Sequence, residues 1–218
     1  MTDDSATLRR QLVAVSRRVA DRGLTHGSTG NISARLGDSI LISPSGSRFR
    51  DVGADDFAVI DLWGNHRSGP KPSKEAFMHA AILRTRPHSS AVVHTHSTYS
   101  VALSCLDDLN VDDVLPAITA YYAMRVGSLP LLDYFAPGDR GLEATVERLA
   151  PAHAALLLRN HGPIVAGDDL DSTVDAIEEL EETAKLYLLL RGMAVRPLST
   201  RQRAALNPTQ TAHGEGSR

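Results

Sequence analysis

The stretch AVVHTHSTYS, residues 91–100, puts His94 and His96 two positions apart at the end of an apolar run. In a β-strand, side chains two apart project from the same face, so both imidazoles can meet one ion while Thr95 faces the other way. Neutral imidazole suits Zn²⁺, and a catalytic zinc takes three or four N and O ligands with a position left for substrate or water. The pair alone does not establish a site, because nine histidines in 218 residues make a chance His-x-His ordinary. What the rest of the chain supplies decides between ligands and edge histidines.

Around this strand the chain alternates helical and extended patterns. Leu8, Leu12, Val15 and Val19 recur at helical spacing between Ser5 and Gly23, which can cap the helix C-terminus. THGSTGNISAR (25–35) reads as loop, SILIS (39–43) as a short strand and PSGS (44–47) as a turn, with a further strand beyond. PSKEAFMHAAILRTRP (72–87) reads as a helix with Ser73 as N-cap, Glu75 in the first turn and Pro87 as the stop. A small-residue helix is expected through about Ser104, then a strand near Leu115 to Tyr122. A helix ending at Pro151 follows, and AALLLRNHGP (154–163) reads as a buried strand running into a turn. The last long helix spans roughly Leu170 to Arg191, with a solvated or interfacial EELEE face. This alternation indicates α/β layers. One domain over residues 1–205 is expected, and the polar, aperiodic end from 206 to 218 reads as a disordered tail.

Composition narrows the classes of function. A formal net charge of −3 with both signs interspersed offers no basic face for nucleic acid. No apolar run approaches the length of a membrane span, and MTDDSATLRRQ lacks the layout of a signal peptide. Cys105 is the single cysteine, which rules out an intrachain disulfide and a thiolate-built zinc site. A cytoplasmic protein without membrane partners is expected.

Further candidates lie far from the pair in sequence. His161 sits where a buried strand ends, before Gly162 and Pro163, a place suited to a ligand and equally to a turn histidine capping backbone. Glu75 offers a carboxylate ligand or general base, although acids near a helix start also complement the helix dipole. His79, beside Phe77 and Met78 and one helical turn after Glu75, reads as packed core or as a support behind the ligands rather than as a ligand itself. HGSTGN (26–31), SPSGS (43–47) and KPSK (71–74) carry hydroxyls and glycine amides of the kind that bind phosphate, or form plain turns. None has the layout of a P-loop.

Taken together, GSTGNIS, ISPSG, PSKE, VVHTHS and RNHGPIVAG stand in the order and spacing of the class II aldolase/adducin family, which this chain resembles over nearly residues 8–195. KPSKE, HSTYSVALSCL, MRVGSLPL, PGD (137–139) and EELEETAKL look most similar to the branch that decarboxylates 3-oxo-tetronate 4-phosphates. The resemblance implies a three-layer αβα arrangement with a central, largely antiparallel sheet, and a homotetramer with active sites near subunit boundaries. It also implies a zinc or other divalent ion on His94, His96, His161 and Glu75, with Glu75 moving a proton as well. Ser28, Asn31, Ser45, Gly46 and Ser73 match positions that hold substrate phosphate. Tyr121, or its neighbour Tyr122, matches a tyrosine that acts as proton donor across an interface.

One departure bears on the substrate. Where sugar-phosphate aldolases of the family carry a second serine before the acid, this chain has Lys74. A fixed cation there suits a substrate carrying a carboxylate as well as a phosphate, or reinforces phosphate binding alone. The expected reaction is loss of CO₂ from a phosphorylated sugar acid to give dihydroxyacetone phosphate. The rivals are an aldolase of fuculose- or ribulose-phosphate type and a non-catalytic adducin-like module.

Overall fold

The computed structural model describes residues 3–206, so the expected tail lies outside the described residues from 207 onward. Helix α1 (Asp3–Asp21) buries Leu12, Val15 and Val19, as its spacing requires. It closes on Gly23, whose φ of +73° lets the N–H groups of Gly23 and Leu24 reach the carbonyls of Ala20 and Val19.

Eight strands then form one sheet: β1 (Asn31–Leu36), β2 (Ser39–Ile42), β3 (Ala58–Asp61), β4 (His66–Ser68), β5 (Ala91–His94), β6 (Leu131–Leu132), β7 (Ala155–Leu158) and β8 (Gly162–Gly167). Their order is β4-β3-β2-β1-β5-β8-β7-β6, and every neighbouring pair is antiparallel except β6 and β7. The other helices are α2 (Ala76–Thr85), α3 (Thr98–Ser104), α4 (Ala120–Arg125), α5 (Glu143–Leu149), α6 (Leu170–Leu190) and α7 (Thr200–Leu206).

Strand alternation divides the apolar side chains between two cores. Ala91, Val93, Leu157 and Val165 join Leu12 of α1, Leu103 of α3, Tyr122 of α4 and Ile177 of α6. Val92, Leu156, Leu158 and Ile164 join Phe77 and Ile82 of α2 and Val146 of α5. The result is the expected three layers, helices on both faces of a largely antiparallel sheet. Because β5 alternates, His94 falls on the same face as Val92, the α2 face, at the end of a central strand.

Several local expectations are corrected. NISAR is not loop: Asn31–Leu36 pairs with both β2 and β5, with Ile32 and Ala34 entering one core. Residues 115–122 do not form a strand. Thr119 accepts a hydrogen bond from the Tyr122 N–H at 3.1 Å and starts α4, so the apolar run is split between an irregular segment and a helix. α2 begins three residues after Ser73, because the Ser73 carbonyl accepts from Ala76 N at 3.2 Å and closes a turn first. Glu75 therefore stands at the N-cap rather than in the first turn, and its side chain makes no cap bond.

The EELEE face is neither simply solvated nor free. Glu178 pairs with Arg18 at 3.0 Å, and Glu179 accepts from the Thr119 hydroxyl at 2.8 Å. Glu181 accepts from the N–H groups of Tyr99 and Ser100 at 2.8 and 2.9 Å, satisfying the exposed start of α3. Leu206, the first residue of the expected tail, instead ends α7. Among the described residues, no helix is long and apolar enough to cross a membrane.

Candidate metal centre and anion cleft

The site is built where three strand ends meet. β5 finishes at His94, which lies opposite Asn31 at the start of β1 and opposite Ile164 of β8. Two glycines allow the backbones to approach. A Cβ on Gly30 would lie 2.7 Å from the His94 carbonyl oxygen, and one on Gly162 would lie 2.3 Å from that of Thr95. Both have positive φ, +81° and +149°, so side chains are excluded by space and by backbone conformation alike.

His94, His96 and His161 converge there, with their candidate donor atoms all within 4.8 Å of one another. His96 lies just past the end of β5, yet its ring still turns to the point its spacing predicts. The ring centroids are 4.6–4.9 Å apart and the planes are steeply inclined. His94 Nδ1 meets the Pro163 carbonyl at 2.8 Å, so that nitrogen carries the proton and Nε2 presents a lone pair to the centre. His96 Nε2 is 3.1 Å from His94 Nε2. Glu75 completes the group, with Oε1 3.2 Å from His161 Nε2 and Oε2 3.5 Å from His94 Nε2.

Burial pushes His96 down to about 3, and a proton there would also be repelled by one on His94 or His161. Burial and then His94 push His161 down to about 4 against the pull of Glu75. Both rings are therefore neutral near pH 7 and can donate lone pairs. For Glu75, burial favours the neutral acid, but His94, the Asn31 amide, His161 and His79 outweigh it and hold the carboxyl below its ordinary value.

These residues fit a divalent metal. His161 Nε2 is buried and makes no hydrogen bond, since its 3.2 Å approach to Glu75 lacks hydrogen-bond geometry. Three imidazole nitrogens and a carboxylate directed at one region, with one donor unsatisfied, form a donor set that a cation would complete.

A cleft of about 260 Å³ opens beside these donors. It is lined by Ser28, Asn31, Ser45, Gly46, Ser73 and Lys74, together with Glu75, His96 and His161. Backbone bonds bring its separate turns together: Ser45 N donates to the Lys71 carbonyl at 2.9 Å and Ser73 N to that of Ser43 at 3.2 Å. The Lys74 stem lies along Gly138, where a Cβ would come within 3.3 Å of Lys74 Cβ. Hydroxyls, turn amides and one lysine on a concave wall are groups that can bind an anion.

A second cleft of about 410 Å³ shares His96, His161 and Pro137 with the first and adds His26, Thr98, Val101, Tyr134 and Asn160. Sequence reading missed His26, Tyr134 and Asn160. Only Asn160 carried a signal, its place directly before His161, where it takes the left-handed φ of +54°.

The two tyrosines separate sharply. Tyr122 is fully buried, and burial followed by Asp113 pushes its phenol up. Tyr121 is 60% exposed, lies under the Arg125 guanidinium and lines neither cleft of its own chain.

Three histidines and one acid beside a cleft of hydroxyls, turn amides and a lysine form a donor set that can hold a divalent cation. Residues 10–188 match the family described as Class II Aldolase and Adducin N-terminal domain, and the chain belongs to that family. A 3-oxo-tetronate 4-phosphate decarboxylase of Haemophilus influenzae is 42% identical over 189 residues, covering 86% of this chain and 90% of its own length. An L-fuculose phosphate aldolase of Methanocaldococcus jannaschii is 34% identical, covering 83% of this chain and 96% of its own length. The crystal structure of YgbL from Escherichia coli superposes with a TM-score of 0.90 at 38% identity, over 94% of this chain and 99% of the other.

Proposed function

We propose that this protein is a zinc-dependent carboxy-lyase that removes CO₂ from a 3-oxo-tetronate 4-phosphate and yields dihydroxyacetone phosphate. The observation that carries the reading is the shared cleft: Lys74 and the serine and glycine turns line the same wall as Glu75, His96 and His161. A substrate bearing two anionic groups then has a cation and a phosphate cradle beside the metal donors. The activity named for the Haemophilus relative supports the same substrate class.

In this proposal His94, His96, His161 and Glu75 hold the zinc, which when bound supplies Lewis-acid polarisation of the substrate ketone. Ser28, Asn31, Ser45, Gly46 and Ser73 grip the phosphate, and that grip fixes which carbon faces the donors. Lys74 orients the carboxylate. Breaking the C1–C2 bond releases CO₂ and leaves its electron pair conjugated with the C3 carbonyl as an enediolate. A proton must then reach C2. Glu75, ionised at rest, takes a proton from water on Oε1 and passes it to C2, because Asn31 Nδ2 donates to Oε2 at 2.8 Å and leaves Oε1 outside that bond. Tyr121, away from both clefts of its own chain, acts in this reading across a subunit boundary of a homotetramer. The single, exposed Cys105 accords with a cytoplasmic setting. One domain over residues 1–205 carries all of these groups.

An aldolase would use the same groups with an aldehyde leaving in place of CO₂. Incubation with 3-oxo-tetronate 4-phosphates and, separately, with fuculose- and ribulose-type phosphates distinguishes the two. Release of CO₂ and dihydroxyacetone phosphate from the former is expected, and aldehyde release from the latter without CO₂ from the former would refute the decarboxylase.

A further inference from the structure

Beneath the metal donors lies a hydrogen-bonded chain of which the roles above use only the Asn31–Glu75 end. His79 of α2 and Ser33 of β1 are fully buried, and Asn31 nearly so. The Asn31 amide touches both Glu75 and His79: its Nδ2 donates to Glu75 Oε2 at 2.8 Å, and its Oδ1 meets His79 Nε2. The other ring nitrogen, His79 Nδ1, lies 2.7 Å from Ser33 Oγ.

The polarity of this chain follows from one end. An ionised carboxylate can only accept, so the amide nitrogen of Asn31 must face Glu75 and its oxygen must face His79. An oxygen facing a ring nitrogen requires that nitrogen to carry the proton. His79 is thereby the Nε2–H tautomer, and its bare Nδ1 accepts from the Ser33 hydroxyl. Each contact has one direction, and reversing any of them would set two acceptors or two donors against each other in a buried site.

We propose that His79 is a positioning residue of the reaction, holding the Asn31 amide in the orientation that fixes Glu75 Oε2 and leaves Oε1 as the oxygen that exchanges the proton. The sequence places His79 one helical turn after Glu75, so α2 carries the acid at its start and the acid's remote support four residues later. Without the imidazole the amide is free to turn its oxygen toward the carboxylate and repel it. Outer partners of this kind typically change activity by ~10–100-fold when removed. The inference rests on Glu75 acting as the proposed function assigns.

The test uses full-length, zinc-loaded protein. His79→Leu removes both polar contacts, whereas the amide nitrogen of His79→Gln can still donate to Asn31. His79→Leu is expected to lose ~10–100-fold in kcat for CO₂ release with KM changed by less than about threefold, and His79→Gln to recover most of the loss. Bound zinc, measured by elemental analysis, should stay equal to that of the wild type in both. Equal impairment of the two variants, or a rise in KM that accounts for the loss, would overturn the role.

Should the leucine variant fail to fold, ¹⁵N NMR of histidine-labelled wild-type protein reads the same chain without substrate. It should give a protonated Nε2 and a bare Nδ1 for His79, assigned by the signal missing from His79→Gln. The opposite tautomer would overturn the inference. A wild-type protein that releases no CO₂ while showing the expected tautomer would instead refute the decarboxylase reading and leave the buried chain standing.

Discussion

Two buried carboxylates in this chain meet opposite fates. Asp61, at the end of β3, accepts from Trp63 N at 2.9 Å, Asn65 N at 2.8 Å, Asn65 Nδ2 at 3.0 Å and Arg67 at 2.6 Å. Burial alone would raise it, but the Asn65 amide, the two backbone N–H groups and Arg67 bring it down to about 2. Glu75 has one such donor, Asn31, and otherwise faces imidazole nitrogens that have lone pairs to give. The saturated acid ties a hairpin turn. The unsaturated one, with His161 Nε2 unpaired beside it, is left open to a cation and a substrate.

If that contrast is right, substitutions in the two places separate activity from stability. His94→Ala should abolish both bound metal and turnover, read by elemental analysis and CO₂ release. Glu75→Gln should cut kcat by ~10²–10⁴-fold while leaving the unfolding temperature near that of the wild type. A large stability loss with intact kcat would make Glu75 a second Asp61. Gly162→Ala forces a Cβ to within 2.3 Å of the Thr95 oxygen. It should weaken metal binding and destabilise by at least ~1–3 kcal/mol, measured by metal titration and urea unfolding.

Lys74→Ser should raise KM for the keto acid phosphate and affect a carboxylate-free sugar phosphate much less. Equal effects would reduce Lys74 to a phosphate ligand. The smallest effect belongs to Asp61, and it should appear only in stability. Its folded value, about 2, lies below the ordinary 3.8, so its contribution is complete above pH 3.8 and is lost as pH falls toward 2. Asp61→Asn should flatten that part of the acid unfolding profile without touching kcat near neutral pH. An unchanged profile would remove the linkage.

How far the sequence could be read depended on whether a signal was local. α1 and α6 declared themselves through long apolar spacing, α1 with Gly23 at its end as well. His94, His96, Glu75 and His161 were candidates because strand ends and helix starts are visible nearby. β1 was hidden because Asn31, Ser33 and Arg35 dilute its apolar alternation, and its pairing with β5 joins residues some sixty apart. The run 115–122 misled because its apolar side chains face one core from both irregular chain and helix. His79 was read correctly as buried. Its link to Ser33 and Asn31 spans 46 and 48 residues, so no local pattern could show it. Glu181, placed on a solvated or interfacial face, reaches across to cap α3 for the same reason.

The most direct test of the metal-centred account is CO₂ release before and after the metal is stripped, with removal verified by elemental analysis. The account predicts that turnover of a 3-oxo-tetronate 4-phosphate disappears with the metal and returns when zinc is restored. CO₂ release at the original rate from verified metal-free protein would contradict it.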